Sequence, residues 1–129
     1  MTITLISASF LGLLLVYLSY NVSKNRLRAK VSVGTGDDES LLTASRAQGN
    51  FIEYAPFGLI LIGLLEYSRV SWYLVMGCAV ALVVGRYMHG LTFGKFEGRN
   101  PFRFYGTLLT WLSILIASIA GLLKGYGIL

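Results

Sequence analysis

Arg46, Asn50 and Glu53 stand at i, i+4 and i+7 of a largely apolar stretch, a spacing that puts all three on one side of a helix. Tyr54, four residues beyond Asn50, widens that side. A guanidinium, an amide and a carboxylate converging in a partly dry site could hold a zwitterionic ligand by its carboxylate and ammonium groups. The same groups could instead form an internal network that pins one helix to its neighbours. Arg86 and His89 lie three residues apart in a second apolar stretch, again on one helical face. One histidine and one cysteine, Cys78, cannot supply the three or four converging ligands of a metal site, so none is expected. Nor is there a serine triad, because His89 has no elbow serine and no carboxylate of suitable depth except Glu53. On the residues alone, His89 reads as a hydrogen-bonded packing residue rather than a catalyst.

Arg103 is of a different kind. Asn100 as cap and Pro101 at the first position open a helix, and Arg103 is its third residue. A cation there works against the helix dipole. It also lies beside backbone N–H groups that lack intrahelical partners, and the combination makes an anion site. The same surroundings lower a thiol's pKa and stabilise a thiolate. An arginine snorkelling to lipid phosphate is the plainer alternative.

The elements that must position these residues are membrane helices. Of the 129 residues, 55% are hydrophobic and 13% charged, and the mean hydropathy is +0.67. A soluble domain carries about 25% charged residues, so too little polar surface remains to dress a water-soluble globule. A spanning helix needs about 20 apolar residues. Four segments meet that length, and the pattern predicts helices over 3–23, 40–67, 70–93 and 101–125 of a single domain. The second is longer than a bilayer is thick, so its first turns project into water or headgroups. The first begins at Ile3, and the first basic residue is Lys24. That order reads as a retained span and not as a signal peptide. Val33 to Ser40 forms a turn whose acidic residues, Asp37, Asp38 and Glu39, suit a helix start. In the fourth segment Ser113, Ala117, Gly121 and Gly125 repeat every four residues. Such a stripe permits close helix approach, although small residues are common in membrane helices anyway.

Net charge is +5, with a pI of about 9.6. The basic residues flank apolar spans and form no free-standing patch, which points to a membrane surface or an anionic small molecule and not to nucleic acid. Nine of the eleven basic residues fall in or beside the first and third connectors, leaving Arg69 and Lys124 on the opposite side. By the positive-inside rule both termini face away from the cytosol.

The stretch Arg46-Ala-Gln-Gly-Asn50-Phe-Ile-Glu53-Tyr54-Ala-Pro56 resembles the Arg-x-x-x-Asn-x-x-Glu-(Tyr)-x-Pro signature of the MAPEG superfamily, the membrane-associated proteins of eicosanoid and glutathione metabolism. Arg86-Tyr-Met-His89-Gly-Leu-Thr-Phe93 is similar to that family's helix 3 motif, Arg-x-x-His-x-x-x-Tyr. Arg103 matches the arginine that family enzymes set against the glutathione sulfur. The likeness extends over essentially the whole chain and is greatest to the short bacterial members. It implies an all-α integral membrane protein, a four-transmembrane-helix bundle assembled as a homotrimer, in the bacterial inner membrane. It also implies glutathione as co-substrate, bound between neighbouring chains. Arg46, Asn50, Glu53, Tyr54, Arg86 and His89 would line the peptide's polar groups, and Arg26 and Gln48 would reach in from the adjoining chain. Arg103 would hold the thiolate, for transferase or peroxidase chemistry on lipophilic electrophiles dissolved in membrane lipid. Two positions depart from the pattern: Phe93 stands where several family enzymes have tyrosine, and Leu27 where the leukotriene enzyme has a second arginine.

Two other readings compete. One is a non-catalytic family member that binds lipid or a partner. The other is a small four-span drug exporter, which needs an intramembrane carboxylate to couple protons and finds none in the first helix. Orientation is open to direct measurement. A reporter active only outside the cytosol should be active when fused at residue 129, and activity there of a cytosol-only reporter would reverse the assignment.

Overall fold

The computed structural model describes all 129 residues as four helices: α1 Thr2–Ala29, α2 Glu39–Tyr67, α3 Trp72–Thr92 and α4 Pro101–Gly125. They run up and down, each antiparallel to the one before it. The α1 stripe Ile3, Ser7, Leu11, Leu14, Leu18 and Val22 is buried, while Leu5, Leu13 and Val16 on the opposite side are at least two-thirds exposed. That inversion is how a bundle sits in lipid, with apolar side chains on its outer face. α1, α3 and α4 are long and apolar enough to cross a membrane. α2 is as long, but Arg46, Gln48, Asn50, Glu53 and Tyr54 make its first half more polar. It spans about 43 Å at 1.5 Å per residue, and it packs against all three of its neighbours.

Two boundaries differ from the sequence expectation. α1 continues through the basic run to Ala29, because no glycine or proline interrupts it and Arg26 and Arg28 in its last turn complement the helix dipole. It ends where Lys30 adopts a left-handed backbone. α3 begins two residues later than expected, after a connector in which Arg69 takes a positive φ.

Both long connectors are tied down by caps. Asp38 caps α2 by accepting from the Leu41 N–H at 2.7 Å, and it also accepts from Arg28 at the end of α1, 2.7 Å away. The Arg28 hydrogen bond, then the Leu41 N–H, holds the Asp38 carboxyl below its ordinary pKa. Arg26 donates to the Gly34 carbonyl at 2.7 Å. At the other long connector Asn100 accepts from the Arg103 N–H at 3.0 Å and donates to the Thr92 carbonyl at 2.8 Å, fastening the end of α3 to the start of α4.

The closest packing is between α3 and α4. A Cβ on Gly106 would lie 2.6 Å from the Gly85 carbonyl oxygen and 2.9 Å from the His89 nitrogen, and one on Gly85 would lie 2.7 Å from the Gly106 oxygen. The two backbones touch, and only glycine fits. Further along the same face Ser113 donates to the Cys78 carbonyl at 2.7 Å, and Ala117 and Ala120 are buried. The small-residue stripe noted in the sequence is thus spent partly inside the chain. Ser113 serves the α3–α4 seam and Ala117 is buried in the core, whereas a Cβ on Gly125 would meet nothing. Gly106→Ala should force the two backbones apart and cost about 1–3 kcal/mol, seen as a lower midpoint of thermal unfolding in detergent. Gly77→Ala, where a Cβ meets nothing, should leave the midpoint unchanged or raise it. Equal effects would mean that the contact is not what holds α3 to α4.

Candidate functional site

The residues singled out in the sequence fall into three groups. The first is built around Arg86, which is 1% exposed in the last third of α3. Its Nε donates to the Thr110 hydroxyl of α4 at 2.8 Å, and its Nη1 donates to the Asn50 side-chain oxygen of α2 at 2.9 Å. The guanidinium lies 5.5 Å from the centre of the Tyr54 ring. Its Nη2 is buried and has no partner. No carboxylate pairs with it, since the two ion pairs of the chain are elsewhere. A buried guanidinium held only by neutral groups retains its full charge and one free edge, so it can receive an anionic group.

The second group runs from α3 to α4. His89, 2% exposed, packs on Phe93 with ring centres 5.2 Å apart. The Arg103 guanidinium lies 4.6 Å from the centre of the same Phe93 ring. The departure from tyrosine at this position thus leaves an aromatic face that carries the arginine. Arg103 also lines an open cleft of about 450 Å³ along α4, with Arg99 at its mouth and Phe104, Leu108 and Trp111 along its wall. Arg99 lies outside the helix and Arg103 inside it, as Pro101 implied. The expected row of unpaired N–H groups is shorter than anticipated. Pro101 has none, the Arg103 N–H goes to the Asn100 side chain and the Phe104 N–H to the Asn100 carbonyl, which leaves the Phe102 N–H.

The third group is on the surface. Arg46 and Glu53 are exposed and form no ion pair with each other or with any residue of the chain. The face inferred for Arg46, Asn50 and Glu53 is therefore divided. Relative to Arg46 the helix turns Asn50 by about +40° and Glu53 by about −20°, enough to put the amide on the inner edge and the carboxylate on the outer one. Gln48 donates to the Ser19 hydroxyl of α1 at 2.7 Å, and Arg26 holds Gly34, so both have partners within the chain.

Thr110 and Ser19 complete these arrangements without having been singled out in the sequence. Thr110 also donates to the Gly106 carbonyl one turn back, at 2.9 Å, the usual habit of a helical threonine. That habit gives no sign that the same oxygen accepts from an arginine.

Residues 4–123 match the MAPEG family. The chain is a MAPEG protein. It is similar to the inner membrane protein YecN of two Escherichia coli strains, with 31% identity over 111 residues that cover 86% of this chain and 83% of the relative. No solved structure matches it. Membership accounts for the helical membrane bundle. In this MAPEG protein the Arg86 cluster should also contribute to stability. Thr110→Val would leave the buried Nε donor unsatisfied at a cost of about 1–3 kcal/mol, measured as the unfolding midpoint in detergent. Thr110→Ser should restore most of the loss. A Thr110→Val protein as stable as the parent would show that Arg86 does not depend on this hydroxyl.

Proposed function

We propose that this MAPEG protein is a glutathione-dependent transferase or peroxidase, both by the same thiolate chemistry, acting on lipophilic electrophiles that enter from the bilayer. The observation that carries the reading is the position of Arg103. It is a cation at the rim of a cleft whose wall passes from Arg99 and Asn100 to Phe104, Leu108 and Trp111. A charged nucleophile held at such a rim meets an apolar electrophile without leaving the headgroup region. Arg103 stabilises the sulfur as thiolate, and positioning supplies the rest of the rate. Arg86, with its free buried edge, takes a carboxylate of the peptide, while Asn50, Tyr54 and His89 border it.

Arg46 and Glu53 enter this reading through assembly. Neither has a partner in the chain, and for Glu53, about two turns deeper along α2 than Arg46, an exposed charge at membrane depth costs about 2.5–3.5 kcal/mol on insertion scales. A second copy that covers the outer face of α2 removes that cost, as in the homotrimer expected from the resemblance. In that arrangement the two residues face glutathione's carboxylate and ammonium, and Arg26 and Gln48 reach it from the neighbour. Both termini lie away from the cytosol, so the site opens toward the cytosolic glutathione pool.

A non-catalytic MAPEG protein that only binds its ligand is the second reading. The single free N–H group at the start of α4 and the missing hydroxyl at Phe93 favour it. One experiment separates the two. The purified protein with glutathione at neutral pH should show thiolate absorbance, and Arg103→Leu should lower both this signal and the conjugation rate by about tenfold or more, the worth of one charge-assisted contact. Lysine at 103 should rescue in part, as a point charge in place of a planar fork, and Arg99→Leu should change little. If the parent protein shows no thiolate, the binding-only reading replaces the enzymatic one.

A further inference from the structure

A second polar cavity, of about 380 Å³, lies inside a single chain between α1, α2 and the end of α3. It shares no residue with the set assigned to glutathione. Small residues make the room: Ala44 and Ala47 on α2, and Gly90 and Gly94 on α3 and its connector. Gly94 closes the roof with a φ of +73°, pressed so closely on Thr43 that a Cβ there would collide with the threonine methyl. Asn21 of α1, Ser40 and Thr43 of α2, Glu39 and Lys95 line the space. None of these five side chains has a hydrogen-bond or ionic partner in the chain, and Glu39 and Lys95 are not paired with each other. One cavity thus offers a free carboxylate, a free ammonium and neutral hydrogen-bonding groups, the complement of a ligand that bears both charges.

Below the cavity the same α1–α3 seam turns apolar. The Tyr87 hydroxyl donates to the Phe10 carbonyl at 2.9 Å midway along it. Beyond that point lies a cleft of about 170 Å³ lined by Ile3, Ile6, Met76, Val80 and Val83, with Phe10 at its upper edge. From Asn21 to Ile6 the seam runs about 22 Å at 1.5 Å per residue, the reach of an extended acyl chain.

We propose that this seam is a binding site for a zwitterionic phospholipid with an ethanolamine headgroup. Its ammonium lies against Glu39, its phosphate against Lys95 with Asn21 and Thr43, and one acyl chain runs down the seam to Ile6 and Val80. The ammonium's N–H groups match a carboxylate acceptor. A choline headgroup has no N–H to donate and prefers an aromatic cage, and a purely anionic headgroup meets Glu39 unfavourably. The headgroup lies at the same end of the bundle as the Arg103 cleft, and the acyl chain follows the outer, lipid-facing side of the seam past the Tyr87–Phe10 hydrogen bond that closes it midway.

Native mass spectrometry of the detergent-purified protein tests this, with ethanolamine, choline and glycerol phospholipids of matched acyl chains supplied together. The ethanolamine lipid should be retained at one per chain, preferred about tenfold for one charge-assisted contact. Glu39→Lys should switch retention to the anionic glycerol lipid, and Glu39→Gln should bring ethanolamine and choline lipids to parity. Glu97→Lys adds the same charge to the nearby connector but does not line the cavity, and should keep the parent's preference. The proposal fails if the parent retains the three lipids equally, if both Glu39 variants keep its preference, or if Glu97→Lys switches it in the same way. Glutathione is absent from every arm, so the result stands apart from the enzymatic reading.

Discussion

A guanidinium in the middle of a membrane bundle has few ways to be tolerated, and the placement of Arg86 sets demands on three helices at once. α4 must bring a hydroxyl to Nε, α2 must bring an amide to Nη1, and neither can be supplied by lipid. Thr110 reaches Arg86 because Gly85 and Gly106 let the α3 and α4 backbones touch. Asn50 reaches it because the small residues Ala47 and Ala55 are buried a turn to either side on α2. Register along both seams is thereby fixed. A shift of one residue on either helix would turn its polar group away and leave a buried charge, at a cost of several kcal/mol. Packing and polar satisfaction thus select the same arrangement, which is how a bundle made largely of interchangeable apolar side chains acquires one structure.

The helices and their ends were largely legible in the sequence. Apolar length marks out the four helices, of which α1, α3 and α4 are apolar enough to cross a membrane, Asn100 and Pro101 announce the start of α4, and the acidic turn before α2 supplies Asp38 as its cap. Less legible was what each polar side chain would face. Period alone gives the angle between Asn50 and Glu53, about 60°, but not where the boundary between inside and outside falls across that arc. It falls between them. Arg86 was legible as out of place in an apolar helix, whereas Thr110 was not, because a threonine bonded to its own helix looks ordinary. The end of α1 lies beyond its expected place for a related reason: Lys24 to Lys30 reads as a charged connector, yet nothing in it breaks a helix, and the charges simply project from the last turns.

Charge also divides the bundle lengthwise. The connector between α2 and α3 is short, and at that end Glu66 accepts from the Ile3 and Thr4 N–H groups at 3.0 and 2.8 Å, capping α1 from another helix. The large cleft there, between α2 and α4, is walled by Leu61, Leu64, Leu65 and Leu122 with Lys124 as its one charge. At the other end lie the basic connectors, the Arg103 cleft and the cavity lined by Glu39 and Lys95. The polar cavities and the basic connectors thus share one end of the bundle, and the apolar cleft lies at the other.

The connector from Phe93 to Asn100 joins the two sites at that end. Its first residue serves both, since the Phe93 ring borders the Glu39–Lys95 cavity on α3 and carries the Arg103 guanidinium. Gly94 then presses on Thr43, and Asn100 binds Thr92 behind it and Arg103 ahead of it. Three attachments over eight residues leave the segment little freedom. Their effect is clearest at Arg103, where a cation in the first helical turn is opposed by the dipole by about 0.3–1 kcal/mol. A guanidinium over an aromatic face gains about 0.5–1 kcal/mol when exposed, and about 2 or more when desolvated. The ring thus offsets the dipole without neutralising the charge, which a carboxylate partner would have done. Arg103 remains a full cation, fixed in place and free to meet an anion.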